Sequence, residues 1–454
     1  MNEHIKWICF EPLTGGMYLG AEEAIGHPAD AIISFKDFGG YIKDSKNIET
    51  ALNEQQLANY LRKKNRLPNW YIINHDPFVD DNNFNPEFIH PDNLDYVTTK
   101  AEPSFKNVDL VVAVPFCSGL SQSSSAGKEH RSMRNCNMVY CANYVINTIK
   151  PKIYLFENAP TMMSTRGVDM RMKFEDIARK NGYSVIYYKT NTLFHHNCQR
   201  RVRTFILFIK NRNNKPFFPE IHWEYDRINA QDYFIEMLKE IAKSERSLVD
   251  DPMNEVLFNC SNLDTNITIP IKYCNHVFGN NWRYEQKCQG GIFDWVCQDK
   301  KEQNKFMNWL VSDYFNNVSD ENADKVITWY IKQFRHFLQK LAENKGYWAT
   351  FACNHVNYVP ACMYKNIPTC VHYYFDRLYT MREWLWTMGH PVDFDMIGKP
   401  ISFYKQIGQN VPVRTAKFMV NECLRILNNW NDIESCECNQ IAIYLDNTKQ
   451  KRIF

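Results

Sequence analysis

Side chains of three kinds that can do chemistry stand at the ends of apolar runs. Cys117 follows Val108-Asp109-Leu110-Val111-Val112-Ala113-Val114, inside the loop Pro115-Phe116-Cys117-Ser118-Gly119-Leu120-Ser121-Gln122-Ser123. A thiolate is a good nucleophile, and the backbone donors of a Gly/Ser-rich loop can stabilise one. Glu157 directly follows Ile153-Tyr154-Leu155-Phe156, where a carboxyl can move a proton. Gln199-Arg200-Arg201-Val202-Arg203 precedes Phe205-Ile206-Leu207-Phe208-Ile209. Alternate residues of an extended segment share a face, so Arg201 and Arg203 are expected to project together. Each has a plainer reading: a buried structural thiol, a capping acid, a solvated basic edge. Taken together, a thiol, a carboxyl and paired guanidinium groups follow one another with gaps of 40 and 44 residues.

The elements that must hold them alternate in type. Residues 5–36 read as strand, glycine turn, helix and strand, a βαβ unit that implies a parallel sheet. Trp70-Tyr71-Ile72-Ile73 and the runs before Cys117 and Glu157 and after Arg203 read as further buried strands. Helical stretches are expected over residues 137–148 and 170–181. This predicts an α/β fold: a Rossmann-like domain with a mostly parallel sheet. In such sheets chemistry collects beyond the carboxyl ends of the strands. Thr14-Gly15-Gly16 lies there, where glycines allow a tight turn and the following helix N-terminus favours negative charge. So does Asp76, which can accept from an amine or cap a turn. Residues 215–376 lose the alternation and read as a smaller, irregular domain. Regularity returns from 377, with helices expected over 380–389 and 413–427, so residues 377–454 rejoin the domain of residues 1–214. The last 25 or so residues are polar and expected to be peripheral.

The chain of 454 residues carries 53 Lys+Arg against 51 Asp+Glu, a net charge of +2, which excludes a strongly basic nucleic-acid coat. Fifteen cysteines are too sparse for a disulfide scaffold and cannot all pair internally, so free thiols in a reducing compartment are expected. No apolar run reaches 18 residues and no signal peptide is evident at the N-terminus. The expectation is a cytoplasmic protein without a membrane partner. Cys353, His355, Cys362, Cys370, His372, Cys436 and Cys438 contain no Cys-x2-Cys pair, so no metal site is expected.

In order along the chain, these segments resemble the motif series of the DNA (cytosine-5) methyltransferases. Thr14-Gly15-Gly16-Met17-Tyr18-Leu19-Gly20 resembles the glycine loop for S-adenosylmethionine, and Pro115-Phe116-Cys117-Ser118-Gly119-Leu120-Ser121 the Pro-Pro-Cys nucleophile loop. Phe156-Glu157-Asn158-Ala159 resembles Glu-Asn-Val, and Gln199-Arg200-Arg201-Val202-Arg203 resembles Gln-x-Arg-x-Arg. Leu378-Tyr379-Thr380-Met381-Arg382-Glu383 with Met388-Gly389-His390-Pro391 is similar to Leu-Thr-x-Arg-Glu…Gly-Phe-Pro. Gln406-Ile407-Gly408-Gln409-Asn410-Val411-Pro412 is similar to the closing Gln-x-Gly-Asn-x-Val-Pro.

The resemblance implies transfer of a methyl group to C5 of a flipped cytosine in double-stranded DNA. It implies Cys117 as nucleophile, Glu157 as acid, and Arg201 and Arg203 as stabilisers of charge. It implies S-adenosylmethionine as cofactor, held by Thr14, Gly15, Gly16, Phe35, Asp76, Pro115, Gln409, Asn410 and Val411. Ser121, Ser123 and Arg201 are implied as DNA contacts, and residues 215–376 as the target-recognition domain. A monomer in a bacterial or phage-infected cell, with a restriction-modification role, completes the expectation.

The departures lie mainly on the cofactor side. Glu11 and Leu13 stand where Phe and the first Gly of Phe-x-Gly-x-Gly-Gly are expected, Ser34 replaces a ribose-binding acid, and Gln409 replaces Asn. Phe116 and Ser118 replace a proline and a glutamine around the cysteine. These changes imply a modified donor pocket. The alternatives are a catalytically weakened DNA-binding relative, or a C5 modifier that uses a variant methyl donor.

Overall fold

Runs such as Trp7-Ile8-Cys9-Phe10 and Leu110-Val111-Val112-Ala113 are apolar on both faces, which suits strands covered on each side. In a computed structural model they sit at the centre of a nine-stranded sheet, and all eight residues are fully buried. The structure describes residues 4–35, 56–68, 70–75, 106–115, 120, 135–222, 226–244, 247–258, 264–291, 294–317, 323–343, 353–354, 357–361, 370–398, 400–435, 441–445 and 450–453. We number the strands of this sheet β1 (Trp7–Phe10), β2 (Ala31–Phe35), β3 (Trp70–His75), β4 (Leu110–Ala113), β5 (Ile153–Asn158), β6 (Tyr183–Asn191), β7 (Val202–Lys210), β8 (Ile441–Leu445) and β9 (Gln450–Ile453).

Their spatial order is β9-β8-β6-β7-β5-β4-β1-β2-β3. Strands β3, β2, β1, β4 and β5 are mutually parallel, whereas β7 runs antiparallel to both β5 and β6. The chain thus forms the expected α/β sheet, mostly parallel with one reversed strand inside it. The final segment departs from the expectation of a polar periphery: Ile441-Ala442-Ile443-Tyr444-Leu445 pairs parallel to β6, and β9 pairs antiparallel to it. A five-residue apolar run within a polar tail was enough to extend the sheet.

Helices Cys136–Tyr144 and Val168–Asn181 cover one face. There Met138, Cys141, Phe174 and Ile177 share a core with Ile8, Phe10, Val111, Ala113, Tyr154, Phe156 and Phe208. The helix Val168–Asn181 stops at Gly182, whose φ of 73° is the left-handed conformation that ends helices cheaply when no Cβ is present. Helix Gly16–Ile25 packs on helix Val413–Asn428. Their approach is so close that a Cβ at Gly16 or Gly20 would collide with the carbonyl oxygens of Val411 and Val413. Glycines four residues apart on one helical face permit this contact.

The chain divides into two compact units, Met1–Ile228 with Leu385–Phe454, and Asn229–Trp384. The second unit is mainly helical, with Ala230–Ala242, Ile269–Phe278, Lys300–Trp309 and Ala323–Ala342 as its longer helices. Rings of Tyr273, Phe306, Trp309 and Tyr330 pack together in its interior. Near its end, buried Glu383 is bracketed by Arg377 at 2.8 Å through both oxygens, and its Oε2 also accepts from the Thr380 N–H at 2.7 Å. Among the described residues, no helix is long and apolar enough to cross a membrane.

Candidate active site

The strand order reverses direction between β1 and β4, and at such a switch point the loops of an open α/β sheet diverge to leave a crevice. The glycine loop leaves β1 there, and the chain leading to Cys117 leaves β4. Glu157 emerges one strand further along, on β5. Because β7 is antiparallel, its first residues return to this same edge, with Glu157 opposite Phe205 and Asn158 opposite Thr204.

Glu157 is 1% exposed, and Arg203 Nε lies 2.7 Å from its Oε1, an ion pair not aligned as a hydrogen bond. Burial pushes the Glu157 carboxyl above its ordinary value, and the positive charges of Arg203 and then Arg201 pull it back. The net direction is upward, which favours a carboxyl that keeps its proton. Arg201 takes a different course from its neighbour. Its Nη2 donates to the carbonyl oxygens of Gly408 at 3.0 Å and Asn410 at 2.8 Å. The strand is interrupted at residue 201, where the Arg201 N–H donates to Thr192 Oγ1 at 3.2 Å, so the guanidinium of Arg201 reaches Gly408 and Asn410 while that of Arg203 pairs with Glu157.

Cys117, Ser121, Ser123 and Asp76 lie outside the described residues, as does the side chain of Phe35. Pro115 and Leu120, two residues before and three after Cys117, are described. Pro115 is buried beyond the end of β4, and the buried Leu120 accepts a hydrogen bond through its carbonyl from the hydroxyl of Thr161. Thr161 is only four residues beyond Glu157.

On the other side of the crevice the loop before Gly16 is tied down by the C-terminal return. Thr14 is buried, and its hydroxyl donates to the Gln406 carbonyl at 2.8 Å. The Gly16 N–H donates to Asn410 Oδ1 at 2.9 Å. Val411 is buried beside this contact, whereas Gln409 is exposed. Gly15 has φ 100°, and Leu13, in the position of an expected glycine, has φ 51°. The backbone at Leu13 therefore keeps the left-handed turn that glycine makes freely, at an extra cost of ~1–2 kcal/mol for a side chain. Glu11 is also left-handed, at φ 48°, and 1% exposed.

These residues fit a methyl donor with a ribose and an amino-acid tail. Ser34 Oγ is buried at the end of β2 with no hydrogen-bond partner among the described residues, a hydroxyl suited to a ribose oxygen. The loop also turns through a helix N-terminus with a buried carboxyl beside it. Among the described residues, no cluster of three or more His, Cys, Asp or Glu is placed to hold a metal ion. His390 was not anticipated as a site residue. Its one local signal is a histidine where Gly-Phe-Pro has Phe; its contacts leave none, because its partner Asn410 is 20 residues away and Gly16, the partner of Asn410, is 394 residues from Asn410.

The family model for C-5 cytosine-specific DNA methylases matches residues 81–425. The chain belongs to this family. Members of the C-5 cytosine-specific DNA methylase family are DNA (cytosine-5) methyltransferases and generally use S-adenosylmethionine. A search of curated proteins found no match. Among solved structures, the methylase is similar to a protein described as a DNA modification methyltransferase encoded within an E. coli prophage (14% identity, 93% of this chain and 99% of that one, TM-score 0.43). It is also similar to a mutant of Spodoptera frugiperda DNMT2 (10% identity, 93% and 99%, TM-score 0.41) and to EhMeth of Entamoeba histolytica (11% identity, 94% and 99%, TM-score 0.43).

Proposed function

We propose that this methylase transfers a methyl group to C5 of a cytosine flipped out of duplex DNA, through a covalent bond between Cys117 and C6. The observation that carries this reading is the pairing of buried Glu157 with half-buried Arg203 at the carboxyl end of the sheet, where the chain leads into the Cys117 loop. C5 of cytosine is a poor nucleophile. Addition of the Cys117 thiolate at C6 makes it enamine-like. The electron pair displaced from the C5–C6 bond is drawn toward N3 and O2. Glu157 gives a proton to N3, and its upward-shifted carboxyl suits that task. Arg203 answers the charge at O2. Arg201, committed to the carbonyls of Gly408 and Asn410, joins the base-binding half of the site to the donor-binding half.

S-adenosylmethionine, when bound by the Glu11–Gly16 loop, Ser34 and the Asn410–Val411 segment, supplies an electrophilic methyl group. C5 takes that methyl, a base then removes the C5 proton, and the C6–sulfur bond breaks to return the thiolate as N3 gives its proton back to Glu157. The net exchange is one methyl for one proton. The second unit, within which residues 229–376 fall, serves as the target-recognition domain. The test is expression in a host without cytosine-C5 methylation, followed by nucleoside mass spectrometry and base-resolution sequencing. We expect 5-methyl-2′-deoxycytidine in the host DNA at a defined sequence, absent with Cys117→Ser. No modified DNA, or 5-methylcytidine confined to RNA, would contradict the reading.

A further inference from the structure

Asn410 joins three segments of the first unit that are remote in sequence. Its Oδ1 accepts from the Gly16 N–H at 2.9 Å, its Nδ2 bonds to His390 Nε2, and its main-chain carbonyl accepts from Arg201 at 2.8 Å. Both Asn410 and His390 are fully buried. Chemistry fixes the direction of each bond. A backbone N–H only donates, so the carboxamide oxygen must face Gly16, and the carboxamide nitrogen must donate to a bare Nε2. The ring proton then sits on Nδ1, which has no hydrogen-bond partner among the described residues. The imidazole is thus held for its acceptor nitrogen. A phenyl ring would fill similar space, since the His390 ring lies tilted against Phe394 with centroids 4.4 Å apart, but it offers no acceptor.

A departure from the motif series and an unspecified motif position meet in this contact. His390 stands where Gly-Phe-Pro has Phe, and Asn410 occupies the unspecified position of Gln-x-Gly-Asn-x-Val-Pro. The loop they reach is the one that departs most, with the non-glycine residues Glu11 and Leu13 both left-handed at φ 48° and 51°. A loop holding such conformations relaxes unless its surroundings over-determine it. We propose that His390 and Asn410 are positioning residues: a hydrogen-bonded pair that pins Gly16, and with it the strained Glu11–Gly16 loop, in its donor-binding shape. The proposal rests on the reading that this loop holds the methyl donor. The pair does not touch the reacting atoms; it acts through the Gly16 main chain.

The test uses the full-length protein and the variants His390→Phe, Asn410→Ser, the double variant and His390→Gln. Amide hydrogen exchange of peptides covering residues 13–19 is followed without ligand, and S-adenosylhomocysteine affinity is measured by calorimetry. Each of His390→Phe and Asn410→Ser should speed exchange in these peptides and weaken affinity by about tenfold, the size of one buried hydrogen bond. The double variant should be no worse than Asn410→Ser alone, because the same link is lost. His390→Gln offers an amide oxygen as acceptor and should recover most of both signals. It also keeps the test open should the phenylalanine variant not fold. Native exchange and affinity in His390→Phe, losses that multiply in the double variant, or no recovery with glutamine would overturn the proposal. A native protein that binds no S-adenosylhomocysteine, yet loses loop protection when His390 is changed, would remove the donor reading and leave the positioning intact.

Discussion

The two sides of the crevice are built in different ways. On the base side of the proposed mechanism, Glu157 and Arg203 work through side-chain atoms whose types the chemistry dictates, and Arg203 Nε lies 2.7 Å from Glu157 Oε1. On the donor side, the shape is carried by main chain: left-handed turns at Glu11, Leu13 and Gly15, and the pinned N–H of Gly16. Side chains there have changed while the turn at Leu13 keeps a glycine-like conformation. A site that works through atoms of particular side chains cannot vary them. A site that works through backbone geometry can, provided other contacts hold the backbone.

This contrast can be broken or sharpened experimentally. The largest effect belongs to the base side. Glu157→Gln and Arg203→Ala should each lower kcat by ~10²–10⁴-fold, the usual span for a positioned acid or charge stabiliser, with S-adenosylhomocysteine affinity within a fewfold of native. Steady-state methylation kinetics with calorimetry checks this; an equal loss of donor affinity would erase the distinction between the two sides. Next is Gly16→Ala, where the added Cβ meets the Val411 carbonyl. Overpacking of this kind should cost ~1–3 kcal/mol in urea unfolding, together with a loss of donor binding.

A pH comparison isolates Glu157. Its folded-state value is raised, by burial first, so the folded chain holds this proton more tightly than the unfolded one. Its contribution to stability is full below the ordinary glutamate value of about 4.3 and is lost as pH rises through the raised value. Glutamine does not titrate. The urea midpoint of Glu157→Gln should therefore gain on that of the native protein as pH rises from the ordinary glutamate value through the raised one, and a constant difference would refute the shift.

The smallest effect is expected at Leu13. Replacing it with glycine removes a left-handed strain of ~1–2 kcal/mol but gives up burial of a leucine side chain worth ~1.5–3 kcal/mol. Leu13 is 3% exposed, so these nearly cancel, and stability should fall by less than ~2 kcal/mol. A larger loss in thermal unfolding would show that the side chain, rather than the turn, is what the site needs.

Much of this architecture was legible in the chain itself. Buried runs such as Leu110–Ala113 and Ile153–Asn158 are long, apolar and β-rich, so their strands and the edge carrying Glu157 could be read directly. The strand Tyr183–Asn191 was not, because Tyr, Lys, Thr and Asn dilute its apolar signal although most of it is buried. Nor was the separation of Arg201 from Arg203, which depends on an interruption of the strand and on carbonyls more than 200 residues away. The His390–Asn410–Gly16 chain is of the same kind: hydrogen bonds between distant segments leave no periodicity behind. Cys117, Ser121, Ser123 and Asp76 were legible as chemistry but lie outside the described residues.

The most direct test of the central claim is a covalent trap. Duplex DNA in which 5-fluorocytosine replaces cytosine is incubated with the protein and S-adenosylmethionine, then resolved under denaturing conditions and mapped by peptide mass spectrometry. Fluorine at C5 cannot leave as a proton does, so the account predicts a stable protein–DNA adduct at Cys117 that Cys117→Ser abolishes. No adduct, or one that survives that substitution, would contradict it.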